Sequence, residues 1–140
     1  MASPIAITFS VEGVPPKKDG ANSMWRKGAE LPRLKALRAA ASRAMRGRAL
    51  PTQRLELTIA VYAEAKAGDL DNFIAGVCDG LQAAHPNTPI DKSQWLDLPV
   101  EARPRHPIAF ADDSLVASIH ATRAAPPDGR PRYEVSIVGN

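Results

Sequence analysis

Gly68-Asp69-Leu70-Asp71-Asn72-Phe73-Ile74-Ala75-Gly76-Val77-Cys78-Asp79-Gly80-Leu81 decides how the chain folds. Leu70, Phe73, Ile74, Val77, Cys78 and Leu81 recur at helical spacing and predict an amphipathic helix with one buried stripe. Asp69 and Asp71 fall in its first turn. Carboxylates there can cap free backbone N–H groups, and they suit the positive end of the helix dipole. A second acidic pair, Asp112-Asp113, enters an expected strand far downstream. Carboxylates gathered from distant positions make a place for a hard divalent cation, so a chemical reading stands beside the capping one.

On the N-terminal side of this block, Leu55, Leu57, Ile59 and Val61 alternate with Glu56, Thr58, Ala60 and Tyr62, which predicts a strand. Before that, Leu31, Leu34, Leu37, Ala41 and Met45 form the seam of a helix over residues 31–46. Pro32 suits its first turn and Gly47 its stop. Ile5, Ile7, Phe9 and Val11 alternate in a first strand, followed by a loop of prolines and glycines from Gly13 to Gly20. On the C-terminal side, Leu115, Ala117, Ile119 and Ala121 predict a third strand, and Tyr133, Val135 and Ile137 a closing one. The turn Ala124 to Pro131 is expected to join these two as a hairpin. The order is β-α-β-α-β-β. It predicts an α+β fold: one domain over residues 1–140, with two helices packed on a mixed sheet.

Residues 85–107 hold five prolines and Trp95 without any period, and read as a long Pro-rich loop. Such a loop is usually either functional or a surface excursion. In the functional case Trp95, Lys92, Arg103 and Arg105 would contact DNA or a partner subunit.

The chain has 140 residues and a net charge of +3, with 44% apolar residues. That suits one globular domain. Its single cysteine lies on the apolar stripe and is expected to be a small buried group in a reduced, cytosolic protein. One cysteine with three scattered histidines excludes a Cys/His zinc motif. No apolar run is long enough for a membrane span or signal peptide. Charge is unevenly spread: residues 17–54 hold eleven of the eighteen Lys and Arg but two of the fifteen Asp and Glu. A basic region beside an acidic cluster suits an enzyme that grips a polyanion. Lys17, Lys18, Arg26 and Lys27 surround Trp25, which either stacks on a base or plugs the edge of the core.

The block from Gly68 to Leu81, with Ile108-Ala-Phe-Ala-Asp-Asp-Ser-Leu-Val116, resembles the RusA family of Holliday junction resolvases. That family opens a helix with Asp-Leu-Asp-Asn, places Asp-x-Leu toward its end, and enters the next strand with Asp-Asp. The resemblance implies a RusA-like homodimer, cytoplasmic and bacterial or phage-encoded, and makes the Pro-rich loop 85–107 an insertion where the family has a much shorter link. It implies Mg²⁺-dependent cleavage of four-way DNA junctions in recombination and repair, with Mn²⁺ as a substitute. Asp69, Asp71 and Asp113 match the acids implicated as catalytic metal ligands, and Asp112 is the less certain member of its pair. Lys17, Lys18, Trp25, Arg26, Lys27 and Lys66 are the DNA-binding candidates. Asp79 reads as structural, Glu64 as a spare acid, and His120 as an outer-face strand residue. One departure bears on the chemistry. The family usually carries a lysine four residues after the second acid, where this chain has Ala75. Either Lys66, Lys17 or Lys18 replaces it, or the protein binds junctions with weak or no nuclease activity. A nuclease for flaps or forks is a third reading.

Overall fold

The computed structural model describes residues 4–18, 23–26 and 28–140. Strand β1 is Ile5–Glu12, followed by a short helix α1, Ser23–Arg26, and the long helix α2, Glu30–Ala44. Strand β2 is Leu55–Tyr62 and helix α3 is Leu70–Gly80. Strands β3, Val116–Ala124, and β4, Arg132–Gly139, complete one four-stranded mixed sheet in the order β1-β4-β2-β3. The α+β class and the main element order are as the periodicities predict; α1 and several 3₁₀ turns are additional. No helix among the described residues is long and apolar enough to cross a membrane.

The expected hairpin does not form. Strand β4 pairs antiparallel with both β1 and β2, and β3 pairs parallel with β2. Burial explains the choice. Tyr133, Val135 and Ile137 are all but fully buried and need neighbours on both sides. Most of β3 is exposed, as an edge strand can be. A bulge between Leu55 and Glu56 also shifts the phase of β3: Val116 pairs with Leu55, but Ile119 with Leu57 and Ala121 with Ile59. Ala117 is therefore exposed rather than core-facing, while Ile119, Ala121 and Arg123 keep the expected phase, opposite Leu57, Ile59 and Val61.

The alternating side chains of β1, β2 and β4 meet Leu37, Ala41 and Met45 of α2 and Phe73, Val77 and Leu81 of α3 in the main core. Helix α3 packs unusually closely on two sides. A Cβ on Gly76 would lie 1.8 Å from the Pro16 carbonyl oxygen, and one on Gly80 2.8 Å from Leu37 Cδ2. Glycine inside a helix costs about 1 kcal/mol relative to alanine. Here it admits the main chain of the 14–18 loop on one side and α2 on the other.

Residues 85–107 are not a loose excursion. Trp95 is 1% exposed and joins Met24, Trp25, Leu31, Leu34 and Ala84 in a second small core. Arg38 of α2 is fully buried. Its Nε donates to Ala102 O, its Nη1 to Gly80 O and Gln82 O, and its Nη2 to Arg103 O and His106 O. A guanidinium has five N–H donors, so these five carbonyls saturate it. The segment is thereby tied to the end of α3.

Candidate functional site

Asp69 is the residue before α3, with φ −80° and ψ 142°, the extended geometry of a helix cap. Its side chain makes no capping bond, and it is exposed. Only its main-chain carbonyl is engaged, accepting from Phe73 N–H at 3.2 Å. Asp71 is also exposed, and its carboxylate accepts the neighbouring Asn72 N–H at 3.1 Å. Two carboxylates thus stand at the open first turn of a helix whose opposite face is locked in the core by Phe73 and Val77.

The 14–18 loop brings cations to this turn. Lys18 N–H donates to Asn72 O at 3.4 Å, and the stem of Lys17 crosses Gly68, within 2.8 Å of where a Cβ would stand. Gly68 has φ +150°, a conformation that favours glycine. From the other side Arg123 of β3 donates to the Gly68 carbonyl, and its guanidinium lies 5.4 Å from the Phe73 ring centroid. Arg123 Nε is buried without a hydrogen-bond partner. The peptide leading into Asp69 is therefore flanked by Lys17 and Arg123. Arg123 continues the core-facing alternation of Ile119 and Ala121, but nothing in the sequence singles it out as a residue that reaches the start of α3.

Asp113 is placed elsewhere. It begins a 3₁₀ turn, Asp113–Leu115, before β3 rather than entering the strand itself. Its N–H donates to Gln82 Oε1 at 3.2 Å. Burial pushes the Cys78 thiol up to about 11, and the nearby charges of Asp113 and then Asp79 add to the rise. Asp113 accordingly sits against the second half of α3. Cys78 is seven residues beyond Asp71, about 10 Å along the axis. The parallel crossover explains this. Because β3 starts beside the start of β2, residues entering it meet the end of α3, and residues leaving it, Arg123 among them, meet its beginning. Asp112 caps the 3₁₀ turn, accepting Ser114 N–H at 2.9 Å. Among the described residues no group of three or more His, Cys, Asp or Glu side chains stands together where it could hold a metal ion. Asp69 and Asp71 share one turn and offer the hard oxygen donors that Mg²⁺ takes, while Asp113 stands by Gln82.

The remaining candidates divide. Trp25 is 2% exposed, so the plug reading holds and its ring offers no stacking face. Its Nε1 donates to Asp79 Oδ2 at 3.3 Å, and Lys18 Nζ reaches Asp79 Oδ1 at 3.5 Å, which gives Asp79 a structural role. Arg26 and Lys66 are exposed, and Ala75 is half-buried on α3. Lys27 lies outside the described residues. His120 is exposed on the outer face, paired with Thr58 across β2 and β3. No protein-family model matches the chain, and no curated protein matches it.

Proposed function

We propose that this protein is a RusA-like endodeoxyribonuclease that acts on four-way DNA junctions as a homodimer. The observation that carries the reading is the exposed Asp69–Asp71 pair at the start of α3, with Lys17 and Arg123 against the peptide before it. Asp69 and Asp71 are the residues that would hold Mg²⁺ or Mn²⁺. The ion would supply charge neutralisation at a phosphate and activation of water for phosphodiester hydrolysis. The chain's own cations have a separate task. Lys17, Lys18, Arg26 and Lys66 bind phosphates of the junction arms, and each contact displaces condensed counterions. Arg123 and Lys17 take over the position left empty at Ala75. A junction has two strands to cut symmetrically, which two sites related by a twofold axis supply. The compartment that fits is the cytoplasm of a bacterium, or of one carrying a phage.

The position of Asp113 favours a second reading: a protein that binds junctions and cuts them weakly or not at all. One experiment separates the two. Wild type and Asp71→Asn are mixed with a labelled four-way junction across a Mg²⁺ titration, with a flap substrate alongside. The nuclease reading expects metal-dependent symmetric nicks, loss of about a hundredfold or more in rate for Asp71→Asn, and unchanged binding in a gel shift. Binding that falls steeply with salt but produces no nicks at any metal concentration supports the second reading. Faster cutting of flaps than of junctions overturns the substrate assignment.

A further inference from the structure

A cleft of about 360 Å³ opens in the 85–107 segment, on Trp95, Leu96, Val100 and the cations Lys92, Arg103 and Arg105. Three features set it apart from the rest of the surface. Leu96 is 66% exposed and Val100 55%, the most exposed of the large apolar side chains among the described residues. Trp95 is 1% exposed, yet its indole Nε1 is buried without a hydrogen-bond partner, whereas the indole of Trp25 donates to Asp79. A buried donor without an acceptor is rare and calls for an explanation. Arg103 spends its Nε on Leu98 O at 3.1 Å and keeps both terminal nitrogens, whereas Arg105 beside it gives its own to His85 O and Thr88 O.

We propose that this cleft is a docking site for an acidic peptide segment of a partner protein, with an aliphatic side chain seated on Leu96 and Val100. A carboxylate of the segment meets Lys92 and Arg103 beside Trp95, whose indole signal reports the contact. Charge complementarity selects an anion, and the aliphatic walls select its body. A nucleotide base fits less well, because the one aromatic ring in the cleft presents its face to Trp25, 6.1 Å away, and not to solvent. The site is preformed. Arg38 grips the carbonyls of Ala102, Arg103 and His106, so docking need not first order the segment. Nothing in this assignment depends on the nuclease reading.

The test uses the full-length ¹⁵N-labelled protein, whose two tryptophans give two indole signals. Three probes are titrated: the blocked tetrapeptide Glu-Leu-Asp-Leu, its counterpart Lys-Leu-Lys-Leu, and an oligothymidylate. The acidic peptide should move the Trp95 indole proton with saturation and leave that of Trp25 in place. Val100→Glu and Lys92→Glu, both at exposed positions, should each weaken this binding by about tenfold or more. If one of these variants fails to fold, the other carries the same comparison. A Trp95 signal that does not move at millimolar acidic peptide overturns the proposal. So does an equal response to the lysine peptide. A response to oligothymidylate alone overturns it too, and assigns the cleft to nucleic acid.

Discussion

The two ends of α3 treat charge in opposite ways. At its start, Asp69 and Asp71 stand in solvent with few partners. At its end, Arg38 is shut away from solvent with all its donors on main-chain carbonyls, and it lies 5.1 Å from the Trp25 ring centroid. Burial alone lowers the Arg38 pKa to about 9, so the guanidinium stays charged at neutral pH in a place that disfavours charge. A charge spent wholly on carbonyls is architecture. Charges left free on a rigid helix are available for chemistry. Helix α3 carries the free pair itself and offers the Gly80 carbonyl to Arg38 of α2, because its core face is fixed by Phe73 and Val77.

The sharpest way to break the comparison is to remove the buried charge. Arg38→Met leaves the carbonyls of residues 80, 82, 102, 103 and 106 without their donor. Stability should fall by about 3–5 kcal/mol, the range for dismantling a buried charged network. Arg38→Lys should recover little of it, since an ammonium has three donors on a point and no fork. Urea unfolding gives the loss. Hydrogen exchange should show the 82–106 amides opening before the sheet. Wild-type stability in Arg38→Lys would mean that the segment is held by its apolar contacts alone.

A smaller effect is expected midway along the helix. In Gly76→Ala the new methyl meets the Pro16 carbonyl, which is main chain and cannot rotate away. Overpacking of this kind costs about 1–3 kcal/mol. The 14–18 loop should lift, carrying Lys17 and Lys18 from the acidic turn. If the loop serves the site, junction cleavage should fall by more than the folded fraction does. A proportional fall would confine the loop to a structural role.

Much of this arrangement was legible in the sequence. The α3 stripe, the α2 seam and the strands β1, β2 and β4 announce themselves because each buries one face and so carries a clean period. Strand β3 hid its pairing. An edge strand buries little, and the bulge at its start puts Val116 in place of Ala117 in phase with the core without a mark in the sequence. Arg123 keeps the expected alternation, but a charged residue at the end of an edge strand gives no sign that it reaches Gly68. Arg38 was hidden for a related reason. It stands on a helix among other basic residues, and only the carbonyls of a distant, aperiodic segment show that it is buried.

The placement of Asp113 can be sharpened through Cys78. Its thiol, with an ordinary value of 9.0, is raised to about 11 by burial and then by Asp113 and Asp79. Raising a thiol pKa keeps it protonated, so alkylation by iodoacetamide should be slow at neutral pH and reach half its maximal rate near pH 11 instead of 9. Asp113→Asn should move this midpoint downward by part of the difference. Asp71→Asn should leave it unchanged. The reverse pattern would return Asp113 to the acidic turn and reopen the three-carboxylate reading.

The smallest expected effect belongs to Asp69. Its backbone has the dihedral angles of a helix cap, yet its side chain accepts no bond from the first turn. An aspartate that caps a helix is worth about 1 kcal/mol over alanine. Here only the attraction of the charge to the helix dipole remains, a few tenths of a kcal/mol that salt screens further. Asp69→Ala should therefore lower stability by less than about 0.5 kcal/mol, measured by urea unfolding at moderate salt. The same substitution should abolish metal-dependent cleavage if the pair holds the ion. A loss of 1 kcal/mol or more would mean that the carboxylate is spent on the helix after all. Asp69 would then resemble Arg38, a charge committed to architecture, and only Asp71 would remain free at the start of α3.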